Sequence, residues 1–237
     1  MSTPINIKVS PALDPETVLA LDGYSEETAS FAAPVFSAFN DAYITIGKLH
    51  DAAALWRNNP SCTRENAVLI VSKEADKQRD RLLRGMDSAM RTVDANISHA
   101  EAELSKPLEA RALGTLNAEI RNHAKMLSRE ERSTLIREAM EADDDTTLAS
   151  ILAAPPFLSG MTAVDQAYHL HAYHARRNPG MVARLTVLRA ARDKIDRDGR
   201  LIIKELQKAV GADAGEVQAI SKADAAARSA LNIDPTA

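Results

Sequence analysis

The chain has 237 residues, of which 45% are apolar and 26% charged, with a net charge of −4, one cysteine, 9 Gly and 10 Pro. Cys62 has no partner, so a disulfide framework is excluded, and no apolar run reaches the ~18 residues of a membrane span. Met1 to Pro15 lacks the basic patch and apolar stretch of a signal peptide, so a soluble protein kept in a reducing cytoplasm is expected.

A chain of this length buries roughly 70% of its unfolded surface, enough for a core without covalent staples. Four Phe, four Tyr and one Trp leave Ala, Leu, Glu, Lys and Arg dominant, a composition that favours helix over sheet. Charge is uneven along the chain. Residues 155–210 carry 10 basic and 5 acidic groups, whereas residues 1–60 carry 3 and 7.

Ile5, Ile7 and Val9 alternate with polar neighbours, which predicts an extended N-terminal arm. Asp14-Pro15 signals a short helix that stops at Gly23, and Ser25 can cap the next segment. A helix over Pro34–Arg57 places Phe36, Phe39, Tyr43, Ile46 and Leu49 or Leu55 on one broad face, and Asn58-Asn59-Pro60 ends it. From Thr63 to Leu104 there is no Pro and only Gly85, which permits one helix of ~42 residues, or ~63 Å. Leu83, Met86, Met90, Val93, Ile97, Ala100 and Leu104 follow at alternating steps of three and four, the seam of a coiled coil, while Val68, Val71, Ala75 and Leu82 continue it one residue out of phase.

Ser105 and Pro107 mark a new start, and Leu113, Leu116, Ile120 and Leu127 predict a second long helix folding back on the first. Ser128 and Glu131 form a capping box that opens a third helix, Asp143-Asp144-Asp145 caps a short one through Leu152, and Pro155-Pro156 stops it. Ala154–Gly160 reads as a hinge. Beyond it, helices are expected over Thr162–Arg177 and over Met181–Val210 with a break at Gly199, followed by a weak Ala-rich helix over Asp213–Leu231.

Three constellations bear on chemistry. His171 and His174 share a helix face while His169 points to the opposite side, with Arg176 and Arg177 close by, which suits a partner-facing helix better than a metal. Lys194 to Leu206 resembles the calcium loop of the EF-hand family, with Asp196, Asp198, Gly199 and Glu205 at the third, fifth, sixth and twelfth positions. Lys194, however, puts a cation where the first ligand belongs, and no second loop exists to pair with it. The basic run from Arg176 to Lys208 has no aromatics for base stacking and is interrupted by Asp193, Asp196, Asp198 and Glu205, so a solvated or subunit-facing surface outweighs a nucleic-acid site. There is no Glu-x-x-His pair, no His-Glu-x-x-His and no Gly-rich phosphate loop, so neither an enzyme nor a cofactor is expected.

The stretch from Asn117-Ala118-Glu119-Ile120-Arg121 through Asp143-Asp144-Asp145-Thr146-Thr147-Leu148 to Pro155-Pro156-Phe157-Leu158-Ser159-Gly160 resembles segments of uncharacterised helical proteins encoded by tailed bacteriophages and prophages. The resemblance covers roughly 45 residues. It implies a protein made in a bacterial cytoplasm and built into a virion, and it assigns no functional residue.

The expectation is therefore an all-α protein: N-terminal arm and helices over 1–60, a long antiparallel coiled-coil-like hairpin over 61–154, and a C-terminal helical region over 155–237. Its expected role is structural, with Leu83, Met86, Met90, Val93, Ile97 and Leu104 as an interaction seam for itself or other virion proteins and with no membrane contact. The alternative is a helical binding module that takes calcium at Asp196, Asp198 and Glu205 or touches nucleic acid through its basic helix.

Overall fold

The computed structural model describes residues 8–111 and 115–230, and it is all-α: no strand occurs among the described residues. The helices are α1 (Ala29–Arg57), α2 (Arg64–Arg111), α3 (Thr115–Met126), α4 (Arg129–Glu141), α5 (Asp145–Leu152), α6 (Ala163–Arg177), α7 (Pro179–Asp198), α8 (Leu201–Val210) and α9 (Ala214–Ala230). They gather into two compact units. The first comprises Met1–Val93 with Arg189–Ala237, the second Asp94–Leu188. Of the expected N-terminal arm, Ile5 and Ile7 lie outside the described residues, and Val9 is buried.

In the first unit two 3-10 turns, Pro11–Leu13 and Pro15–Val18, pack on α1 and bury Leu13 and Val18 completely. Asp14 caps the second turn by accepting from the Glu16 amide at 2.9 Å. Gly23 then turns the chain at φ 78°, and the buried Thr28 hydroxyl donates to its carbonyl at 2.7 Å. Ser25 Oγ accepts from the Thr28 amide, as expected of a cap.

Helix α1 starts at Ala29, five residues before Pro34, because a proline inside a helix forfeits one backbone hydrogen bond without having to begin or end it. Its buried positions Ala32, Val35, Phe39, Ala42, Ile46, Leu49 and Ala53 step by three and four throughout, so a heptad runs along this helix with alanine at three of its seven places. Phe36 is only half-buried and Leu55 is exposed. The small residues let α8 lie close. Helix α8 answers with Ile202, Glu205, Leu206, Ala209 and Val210, the i, i+3, i+4, i+7, i+8 stripe of an amphipathic helix.

Two buried charges tie the N-terminal turn into this unit. The Lys194 side chain is 2% exposed; its Nζ donates to Asp198 Oδ2 at 2.9 Å and to the Ala12 carbonyl at 3.0 Å, and sits 4.4 Å from the centre of the Phe39 ring. Glu205 accepts from the Ser10 amide at 3.2 Å and pairs with Lys208, whose Nζ also donates to the Lys8 carbonyl. The expected break at Gly199 is present between α7 and α8. A Cβ there would lie 2.6 Å from the Ile195 carbonyl oxygen.

In the second unit the core joins Leu108, Ala124, Ile136, Leu148, Ile151, Leu152, Met161 and Tyr173. The described residues do not confirm the expected antiparallel hairpin: α2 continues through position 107 to Arg111, and the short α3 packs on α5 and on the 3-10 turn Pro156–Ser159. The capping box of Ser128 and Glu131 opens α4, Asp144 caps α5 by accepting from the Thr146 and Thr147 amides, and Thr162 caps α6. The segment expected as a hinge, Ala154–Gly160, is held by long-range bonds. Gln166 Nε2 donates to the carbonyls of Leu152 and Ala154, the buried Ser159 hydroxyl donates to the Ile151 carbonyl, and Gly160, at φ 69°, leaves room for the Arg132 guanidinium. That guanidinium donates to the Ala124 and Leu127 carbonyls at the end of α3.

Removing Lys194 strands the Asp198 carboxylate in a site that is 6% exposed, with only Arg197 beside it. Lys194→Met is expected to cost about 3 kcal/mol in urea unfolding, and Lys194→Met combined with Asp198→Leu to recover most of that loss. A single variant as stable as the parent would show that the pair does not hold this unit.

Candidate association surface

The predicted seam on α2 is consumed inside the chain. Met86, Val93 and Leu104 are buried, and Leu83, Met90 and Ile97 are half-buried. In the first unit α2 buries Ala67, Val68, Leu69, Val71, Ser72, Ala75, Leu82, Met86, Ala89 and Val93, and Val71 lies fifteen residues before Met86, one more than two heptads, so the stripe shifts phase by one residue as its spacing predicts. Ala89 takes the inner place that size alone assigns to Met90, which is half-buried. In the second unit Ala100 and Leu104, flanked by Ile97, close against Leu185 and Met181 of α7, and Arg184 donates to Asn96 at 3.1 Å beside them.

The calcium-like stretch is a helical joint. Helix α7 stays helical through Asp198, so Lys194 and Asp198 stand one turn apart as an ion pair rather than around a loop. Burial pushes the Asp198 carboxyl upward, but hydrogen bonds from Arg197 and Lys194 outweigh it and hold the group below its usual range. Asp196 is exposed, and Glu205 on α8 turns to the Ser10 amide. Among the described residues no three of His, Cys, Asp and Glu are gathered to hold a metal ion.

Much of the basic run is neutralised locally. Arg176 pairs with Asp143, Arg177 with Asp143 and Asp145, Arg197 with Asp198 and Lys208 with Glu205, while Lys194 is buried. Hydrogen bonding to Asp145, the largest influence, and the nearby carboxylates raise the Arg177 pKa further above its ordinary value. Arg189 and Arg192 also interact within the chain.

What remains open is one end of the second unit. Thr162 Oγ1 accepts from the Asp165 amide at 3.1 Å, and the Asp165 carboxylate takes hydrogen bonds from Thr162 Oγ1 and, at 2.6 Å, from Arg129 Nη2. Those two bonds, the Thr162 one first, hold its carboxyl below the usual range. With the start of α6 fixed in this way, Leu170 and Tyr173 face the core, and Val164, Tyr168, His171 and Ala175 form an exposed row at i, i+4, i+7 and i+11. Val164 is 78% exposed and Tyr168 71%. Together with the buried Met161 they line a shallow cavity of about 310 Å³ rimmed by Arg129 and Asp165. The preceding turn adds Phe157, 67% exposed, and it packs on α3, whose last residue Met126 is 86% exposed. Side chains this large are seldom left to water in such a group unless something covers them. Sequence reasoning singled out the histidines of α6 but not this row. Its four-residue spacing was visible, but spacing is the same for a face turned inward and a face turned outward.

Three histidines resist protonation in the fold. Burial lowers the pKa of His50, of His169 and of His174; Lys208 adds to the effect at His50 and His171 at His174, while Asp165 opposes it at His169. The unfolded chain takes up these protons below about pH 6.5 and the folded chain does not. Stability is therefore full above that pH and declines as pH falls through it. The urea midpoint is expected to drop between pH 7 and pH 5, and His50→Gln with His174→Gln to flatten the slope; a slope unchanged in the double variant would assign the decline elsewhere.

No family model, no curated protein and no solved structure matches this chain.

Proposed function

We propose that this chain is a structural or assembly protein, not an enzyme, and that it acts by associating with copies of itself through the outer face of α6. The supporting observation is the exposure of Val164 and Tyr168 on the outer face of α6, with Phe157 and Met126 also exposed on the turn and helix that pack together in the same unit, while the apolar stripe of α2 is occupied within the chain. Helix α6 carries Asp165 in its first turn and Arg176 and Arg177 in its last. Two copies of α6 set antiparallel about a twofold axis align their dipoles favourably, while Asp165, Arg176 and Arg177 stay engaged with Arg129, Asp143 and Asp145 of their own chain. Tyr168 near the centre of the row is the kind of residue that anchors such contacts. The face of one four-turn helix is smaller than the ~800 Å² per partner of a standard interface, so the association is weak and builds up with concentration or in a larger array.

The resemblance over residues 117–160 is the ground on which we propose a phage or prophage setting for this role, with synthesis in the bacterial cytoplasm and incorporation into the virion. Absolute molar mass by light scattering across a wide concentration range tests the core of it. The mass is expected to rise above the 25.7 kDa of one chain as concentration increases, and Val164→Glu with Tyr168→Glu to return it to that value without loss of helical signal. A parent protein that stays at one chain throughout the range overturns the reading.

A further inference from the structure

The first unit contains an open groove of about 600 Å³ between α2, α8 and α9. Ala75 of α2 and Leu206 and Val210 of α8 give it an apolar floor, and Ile203, 42% exposed, and Val217 stand on its walls. Helix α9 borders this space without filling it: none of its residues is buried. Its start is held by the Asp213 carboxylate, which accepts from the Glu216 amide at 2.8 Å, and by the Arg64–Glu216 ion pair at 2.7 Å.

The charges at the rim are not equivalent. Arg79 lies 2.7 Å from Asp76 and 3.0 Å from Asp80, so its cation is satisfied twice over. Lys222 lines the same groove, and no described residue engages its ammonium group.

Volume and chemistry select the occupant. At roughly 30 Å³ per water-sized group, the groove holds about twenty non-hydrogen atoms, which suits a small molecule and falls well short of a helix of several turns. Water over an apolar floor finds few hydrogen-bond partners, and an aliphatic chain displaces it favourably. The unengaged cation at the rim calls for a negative head. We infer that this groove binds a single-chain amphiphilic anion, an aliphatic carboxylate whose tail lies on Ala75, Leu206 and Val210 and whose head meets Lys222. This site is in the first unit and does not depend on the association surface.

Calorimetric titration of the full chain with dodecanoate, dodecanol and dodecyltrimethylammonium, each below its micelle concentration, tests the inference. Dodecanoate is expected to bind saturably and one to one, and the neutral and cationic analogues about tenfold more weakly, the scale of one charge-assisted hydrogen bond. Lys222→Glu should weaken dodecanoate about tenfold and leave dodecanol unchanged. Ser221→Trp, at an exposed position on the groove wall, should weaken all three while helical signal and thermal midpoint stay at the parent values. Absence of saturable dodecanoate binding overturns the site, and so does unchanged binding in a folded Ser221→Trp variant. Equal binding of the three amphiphiles overturns the role of Lys222.

Discussion

A lysine ammonium withdrawn from water must be surrounded by acceptors, and in this protein that requirement falls on Lys194. Its partners come from three places in the sequence: a carboxylate one turn along its own helix, a backbone carbonyl in the N-terminal turn, and the face of an α1 aromatic ring. A neutral or displaced side chain there would leave the carbonyl and the ring without their counterpart and the carboxylate with Arg197 alone. The N-terminal turn, the end of α7 and the middle of α1 are thereby fixed together. Glu205 repeats the device with opposite sign, drawing the Ser10 amide onto α8 and pairing with Lys208 three residues along the same helix.

A second device occurs once in each unit. Arg57 reaches the Ala209 and Val210 carbonyls at the end of α8, and Arg132 reaches those of Ala124 and Leu127 at the end of α3. In each case a glycine with positive φ stands against the guanidinium, Gly211 in one and Gly160 in the other, where a Cβ would lie 2.5 Å and 2.9 Å from Nη2. Terminal carbonyls that water would otherwise solvate are instead satisfied by a distant side chain. Short helices such as α3 and α8 gain defined ends, which intrinsic propensity alone would not provide.

Local signals were legible in the sequence and long-range ones were not. The caps at Asp144 and Ser128 and the break at Gly199 depend on neighbours within a few residues, and they stand where the pattern placed them. The heptad of α1 was hidden because Ala32, Ala42 and Ala53 carry it, and an alanine looks alike at buried and exposed positions. Pro155-Pro156 and Gly160 read as a linker because the residues that satisfy their surroundings, Gln166 and Arg132, belong to other helices. At the calcium-like stretch the most informative residue was the one that broke the pattern. The positive charge of Lys194, unsuitable for an ion's ligand, turned out to be the residue around which the neighbouring elements are arranged. The exposed row on α6 needed the fold itself, since only the packing of Leu170 and Tyr173 decides which face is left outside.

The distribution of aromatic residues gives the two units different optical signatures. Trp56, the chain's one tryptophan, lies at the end of α1, 36% exposed and next to Arg57, which caps α8. Intrinsic tryptophan emission therefore reports the first unit alone, whereas far-ultraviolet dichroism sums over helices of both. Melting curves that coincide by the two probes would mean that the units unfold in one cooperative event, and curves that separate would resolve their individual transitions.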